Sequence, residues 1–219
     1  AQSEIDYWNN QINSGLKIDE LSQKIEGSKE AYLLKLKKQA DDPESDSVSV
    51  NLDGNTLFID SNDKVAVETY LNTEYEPGTT NFLKTILKKG MNVINIGANI
   101  GYFTLLAARE VGPDGKVFAF EPFPQTVELL KKNIDLNGYK NVQVISMAVS
   151  DRKEKSFLAL KSDSGHNFVT SASNKKYDSI EIITTTVDDH FDKNLKIDLL
   201  VMDAEGYEPK ILDGMKNTL

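Results

Sequence analysis

The stretch Val93-Ile94-Asn95-Ile96-Gly97-Ala98-Asn99-Ile100-Gly101 constrains this chain more than any other. Twenty residues after Gly101, a second apolar run ends in an acid, Val117-Phe118-Ala119-Phe120-Glu121-Pro122. An apolar strand runs into a glycine turn, the turn opens a helix, and the next strand ends in a carboxylate. An open parallel α/β sheet binds an adenosine-containing cofactor with this pattern. Gly97 lets the backbone turn tightly at the end of the strand. Gly101 lets the following helix sit close to the sheet. Glu121, at the tip of the second strand, can accept hydrogen bonds from both ribose hydroxyls.

The glycine spacing chooses among cofactors. A nicotinamide or flavin site wants G-x-G-x-x-G, with bare backbone against a pyrophosphate. Here Asn99 replaces the middle glycine, and Tyr102 follows Gly101. A ligand that carries an amino acid in place of the pyrophosphate fits G-A-N-I-G better, and S-adenosylmethionine is such a ligand. An NAD(P)-dependent oxidoreductase is the disfavoured enzyme alternative.

Charge narrows the partners. Up to Thr80 the chain holds 16 acidic and 7 basic residues, and from Asn81 onward it holds 18 of each. The whole net charge of −9 therefore sits in the N-terminal third. Phosphate contacts need clustered Lys and Arg, so nucleic acid is not an expected partner. There are no cysteines, which excludes a disulfide framework and thiolate metal sites. No apolar run is long enough to span a bilayer, and no secretory signal is visible. The expected location is the cytoplasm.

The periodicity divides the chain in two. Residues 1–80 read as a helical segment over 4–38, with Trp8 on its apolar stripe, an acidic linker, and a hairpin around Asp53-Gly54. The N-terminal helices are expected to pack over the core or to mediate a homodimer. Tyr75-Glu76-Pro77-Gly78 reads as a break, followed by a helix over Asn81–Lys89. Residues 81–219 then alternate. Strands are expected at Asn92–Gly97, Lys116–Glu121, Val142–Val149 and Ile197–Met202. Helices are expected at Tyr102–Val111, Pro124–Asn137 and Pro209–Lys216. Residues 155–161 and 180–187 read as an added hairpin. Short strands alternating with helices make a doubly wound α/β sheet. A complete sheet of this type would carry two or three more strands after Leu219, so the expectation is a small sheet or a fragment.

Seven motifs in order then carry a resemblance. They are Tyr75-Glu76-Pro77, Ile96 through Thr104, Phe120-Glu121-Pro122, Asn133-Ile134-Asp135-Leu136-Asn137-Gly138, Ala148-Val149-Ser150-Asp151, Thr186-Val187-Asp188-Asp189 and Asp203-Ala204-Glu205-Gly206-Tyr207-Glu208. Over roughly residues 70–219 the chain resembles the FkbM family of class I S-adenosylmethionine-dependent methyltransferases. The resemblance implies a Rossmann-like fold and O-methylation of small hydroxylated substrates such as sugars, glycans or polyketides. It also places Glu76 near the methionine end of the cofactor. It departs at two positions: the family pattern usually has Asp where this chain has Asn95, and Lys where it has Val201. These departures leave open a cofactor-binding or interaction module that has lost turnover.

Methyl transfer is an in-line displacement that asks mainly for alignment and exclusion of water. A hydroxyl nucleophile gains from a general base. Asp203 and Glu205, at the carboxyl end of the fourth strand, are the first candidates, because open α/β sheets bind ligands there. His166, in a polar loop, is another, since its ordinary pKa suits the task. The plain alternatives are a helix cap for Asp203, a solvated loop residue for Glu205 and a solvated histidine for His166. The expected cofactor contacts are Glu76, Asn95, Gly97, Asn99, Gly101 and Glu121. Phe123 can stack on adenine, and Ser146 to Ala148 border it. No transition-metal cluster is expected, although a Mg²⁺ ion on Asp203 and Glu205 stays open.

Overall fold

A computed structural model describes residues 47–60, 75–161, 167–170, 177–191 and 195–218, together with Lys17. The expected N-terminal helices and any dimer surface on them lie outside the described residues. The hairpin forms as read. Strands β1 (Ser47–Leu52) and β2 (Asn55–Asp60) pair antiparallel, with Leu52 opposite Asn55. Asp53 and Gly54 both take positive φ, 50° and 75°, as a two-residue turn of this twist requires.

Helix α1 spans Pro77–Ile86, four residues ahead of the expected start. Pro77 opens this helix, because a proline in the first turn has its φ preset and loses no hydrogen bond. The boundary expected between residues 80 and 81 thus falls inside α1.

The core then alternates: β3 (Asn92–Ile96), α2 (Tyr102–Val111), β4 (Lys116–Phe120), α3 (Pro124–Leu136) and β5 (Val142–Ile145). The expected third strand is split. Met147 N–H donates back to Ile145 O at 2.9 Å, turning the chain out of the sheet. The next pair, β6 (Ala148–Val149), joins a second sheet. That sheet also holds β7 (Lys155–Ala159), β8 (Phe168–Thr170) and β9 (Ser179–Thr185). The pairing of β7 with β9 is antiparallel, as the sequence suggests, whereas β8 was not foreseen. Strand β10 (Leu199–Met202) returns to the first sheet, and α4 (Glu208–Asp213) follows.

The parallel sheet has the order β10-β3-β4-β5. The order reverses between β3 and β10, which opens a crevice at their carboxyl ends. Both faces of the sheet are covered, so its strands are apolar almost throughout. Val93 and Val117 pack with Leu106 and Val111 of α2 on one face. Ile94, Ile96, Phe118 and Phe120 pack with Val187, Ile211 and Met215 on the other. The hairpin closes over the α2–α3 side, where Val48, Val50, Leu57 and Ile59 share a core with Leu105, Leu130 and Ile134.

Two side chains one turn apart, Asn133 of α3 and Asn137 at its C-cap, hold the hairpin by its edge. Asn133 accepts from Phe58 N–H at 2.7 Å and donates to Phe58 O at 3.2 Å. Asn137 accepts from Thr56 N–H at 2.9 Å and donates to Thr56 O at 2.7 Å. Both amides therefore pair with alternate residues of β2, as a neighbouring strand would. Among the described residues no helix is long and apolar enough to cross a membrane.

Candidate active site

The β3–α2 loop is shaped by left-handed residues. Gly97, Asn99 and Gly101 have φ of 78°, 48° and 105°. The N–H groups of Gly97 and Ala98 both donate to Phe120 O at 3.0 Å, folding the loop over the end of β4. A Cβ on Gly101 would stand 2.6 Å from Leu130 Cδ1, so this glycine lets α2 and α3 close on each other. A Cβ on Gly97 would stand 1.8 Å from Asp203 O, so Gly97 lets the ends of β3 and β10 meet.

Glu121 lies just past β4 and is buried, with 8% of its surface exposed. One carboxylate oxygen accepts from Asn99 N–H and the other from Phe123 N–H, each at 2.9 Å. A carboxylate has about four acceptor sites, so about two remain for further donors. Burial pushes the Glu121 carboxyl up to about 7, against the downward pull of its two N–H donors. The residue that holds the loop thus also keeps acceptor capacity in the cavity wall.

These elements border a cavity of about 520 Å³ at the carboxyl ends of β3, β4 and β10, a size suited to a small-molecule ligand. Glu76, Asn95, Gly97, Asn99, Glu121 and Ala148 line it, as do Asp203 and Glu205. Asn95 is buried, and its amide donates to Thr104 Oγ1 at 2.9 Å, so it braces α2 as well as facing the cavity. Asp203 and Glu205 are exposed, and no hydrogen bond among the described residues holds either carboxylate. Asp203 does not cap α4. The Glu208 side chain instead accepts from Ala204 N–H at 3.0 Å and Gly206 N–H at 3.3 Å, fixing the turn that carries Glu205. Its own N–H above all, helped by those two backbone donors, holds the Glu208 carboxyl below its ordinary range despite some burial.

Three expected contacts are not in the wall, and Gly101 is one of them, taken up by the close approach of α2 to α3. Phe123 packs instead against Ala148, Leu158 and Ile182 of the second sheet. Ser146 is exposed on the turn after β5, and Met147 takes its place in the lining. His166 lies outside the described residues. Several wall residues escaped the sequence reading. Tyr75, Tyr102 and Phe103 form a ring cluster, with Tyr75 and Tyr102 centroids 4.9 Å apart and edge-on. Leu158 and Val169 come from the second sheet, and Asn167 directly precedes its strand β8. Only the Tyr75-Glu76-Pro77 and Tyr102-Phe103 motifs hinted at the first group, and nothing local hinted at the second.

The two departures from the family pattern share one place. Asn95 of β3 and Val201 of β10 are register partners in the parallel ladder. A neutral pair stands there, where the pattern would set an acid beside a base.

A parallel sheet of this order, a glycine loop clasped by a buried acid and a cavity at the switch point define a class I S-adenosylmethionine-dependent methyltransferase domain. The methyltransferase FkbM domain matches residues 95–219, and the chain belongs to that family. Its cofactor is S-adenosylmethionine. The chain is 37% identical over 59 residues to a protein-L-isoaspartate O-methyltransferase of Methanothrix thermoacetophila, covering 27% of this chain and 28% of that protein. A protein of the same name from Pyrococcus horikoshii is 42% identical over 59 residues, 27% of this chain and 26% of that one. A solved S-adenosylmethionine-dependent O-methyltransferase of Thermotoga maritima is 31% identical, covering 33% of this chain and 28% of that one, with a TM-score of 0.31. The chain thus spans about a quarter of the length of the curated relatives it matches.

Proposed function

We propose that this protein transfers the methyl group of S-adenosylmethionine to a hydroxyl of a sugar, glycan or other small hydroxylated molecule, in the cytoplasm. The observation that carries this reading is the placement of Asp203 and Glu205. Both line the cavity from the end of β10, exposed and, among the described residues, with no hydrogen bond to either carboxylate, while the buried Glu121 lines it from the end of β4. When bound, the cofactor supplies an electrophilic methyl group on a cationic sulfur. The chain supplies the rest. Gly97, Asn99 and Gly101 shape the loop, Glu121 accepts from the ribose, and the Tyr75, Tyr102 and Phe103 rings exclude water. Asp203 or Glu205 orients the acceptor hydroxyl and takes its proton, an effect worth about 10²–10⁴ in rate.

The lining supports a small, non-phosphorylated acceptor. It holds Glu76, Glu121, Asp203 and Glu205 but, among the described residues, no Lys, Arg or His. Such a wall repels phosphates, which favours a sugar-like acceptor over nucleic acid. Titration calorimetry with S-adenosylmethionine, S-adenosylhomocysteine and NAD, followed by mass detection of methylation on a panel of neutral glycosides and short RNAs, tests the reading. Binding of NAD alone, or methylation confined to RNA, would overturn it.

A further inference from the structure

The hairpin turn reaches the cavity through one carboxylate. Asp53 accepts hydrogen bonds from Tyr102 Oη and from Lys84 Nζ. Burial alone would raise its carboxyl, but these two donors outweigh burial and hold it below the usual range, so it stays ionised. Tyr102 is the first residue of α2 and is 4% exposed. Its hydroxyl also stands 3.2 Å from Thr80 Oγ1, and Thr80 Oγ1 donates to Tyr75 O at 2.7 Å. Thr80 N–H donates to Glu76 O at 2.9 Å. A chain of contacts therefore runs from Asp53 through Tyr102 and Thr80 to the backbone of Tyr75 and Glu76. Three of these residues, Tyr75, Glu76 and Tyr102, line the cavity. Glu76 sits at φ 39°, a conformation that needs such support.

We propose that Asp53 is a positioning residue for the cofactor pocket: from a hairpin that precedes the matched family domain, it fixes Tyr102 and the Tyr75–Glu76 lip against the amino-acid end of S-adenosylmethionine. The proposal rests on the reading of the cavity as the cofactor site. With Glu121 taking the ribose, the adenosyl half lies toward β4, and the amino-acid end is left to the lip on the other side of the glycine loop. Asp53 itself touches no ligand; it acts through Tyr102.

The test compares two ligands that share the adenosyl half. Asp53→Ala and Tyr102→Phe are each titrated with S-adenosylhomocysteine and with 5′-methylthioadenosine, which lacks the amino-acid group. Each substitution should weaken S-adenosylhomocysteine by about five- to tenfold, the range of a lost polar contact, and leave methylthioadenosine within about twofold. The double variant should lose no more than either single one, because both break the same link. Tyr102→Phe keeps the ring, so it guards against a loss caused by misfolding of the hairpin. Equal loss of both ligands, or no loss of either, overturns the proposal. Failure of the unaltered protein to bind S-adenosylhomocysteine would instead sink the assignment of the cavity.

Discussion

Gly97 and Asp203 meet so closely at the β3–β10 seam that a Cβ on the glycine would lie 1.8 Å from the aspartate's carbonyl oxygen. The contact brings the cofactor loop and the candidate base into one wall. Gly97→Ala should therefore part the two strands. Gly138 is the control: it has a φ of 71°, close to the 78° of Gly97, but nothing within 4 Å of an added Cβ. Gly138→Ala should cost only the left-handed strain, about 1 kcal/mol. Gly97→Ala should cost at least about 3 kcal/mol and abolish cofactor binding. Urea midpoints and calorimetry on both variants check this, and equal losses would contradict it.

Cofactor affinity should depend on pH through Glu121. Its carboxyl sits at about 7 in the free protein. Ribose hydroxyls donate to the ionised form, so binding lowers this value and releases a proton. Affinity should rise with pH up to about 7 and level off above it. Titration between about pH 5 and about pH 9 would show the slope, and Glu121→Gln should flatten it while weakening the cofactor by about 2 kcal/mol.

The same shift has the opposite sign for the free fold. The folded state holds the Glu121 proton more tightly than the unfolded chain, whose value is near 4.5. The stability this supplies is present below about 4.5 and is lost as pH rises through about 7. At pH 8, Glu121→Gln should thus raise the thermal midpoint of the free protein while weakening its ligand. A lowered midpoint would show that the two backbone bonds outweigh burial.

Asp203→Asn and Glu205→Gln should separate binding from turnover. The expected glycine-loop and ribose contacts lie at the ends of β3 and β4, whereas these carboxylates follow β10. The variant that removes the base should slow methyl transfer by about 10²- to 10⁴-fold with cofactor affinity nearly intact. Single-turnover rates beside calorimetric affinities make the comparison. Joint loss of both would make the residue a structural part of the β10 turn.

Asn95 and Val201 should prove coupled. Asn95→Asp alone places an unpaired charge at a site 3% exposed, and should destabilise the fold by about 3 kcal/mol. Adding Val201→Lys should recover part of that, since the two are register partners. A double-mutant cycle in urea should show a coupling of about 0.5–3 kcal/mol. Strict additivity would mean that the two positions vary independently.

The parts legible in the sequence were those set by local spacing. Gly97, Gly101 and Glu121 stand at fixed offsets from strand ends, so strand–turn–helix periodicity was enough to place them. That Phe123 and Ser146 lie outside the cavity wall was not legible, because periodicity cannot show where a strand leaves its sheet. The apolar run from Val142 to Val149 continues past the turn at Met147, yet its last pair belongs to another ladder. The helix at Pro77 was read as a break because proline ends helices more visibly than it starts them. The walls built by Leu158, Asn167 and Val169 depend on how the second sheet docks, which no short window encodes.

The grip of Asn133 and Asn137 on β2 also sets a sequence of events during synthesis. The hairpin leaves the ribosome first, and its amide partners follow 75 and 81 residues later. Until α3 arrives, the backbone groups of Thr56 and Phe58 form an unguarded rim that any extended segment can extend. The two asparagines then close that rim with side chains rather than with another strand, and end its capacity to seed aggregation. In this chain, the passage from vulnerable nascent hairpin to protected fold turns on the arrival of two amides.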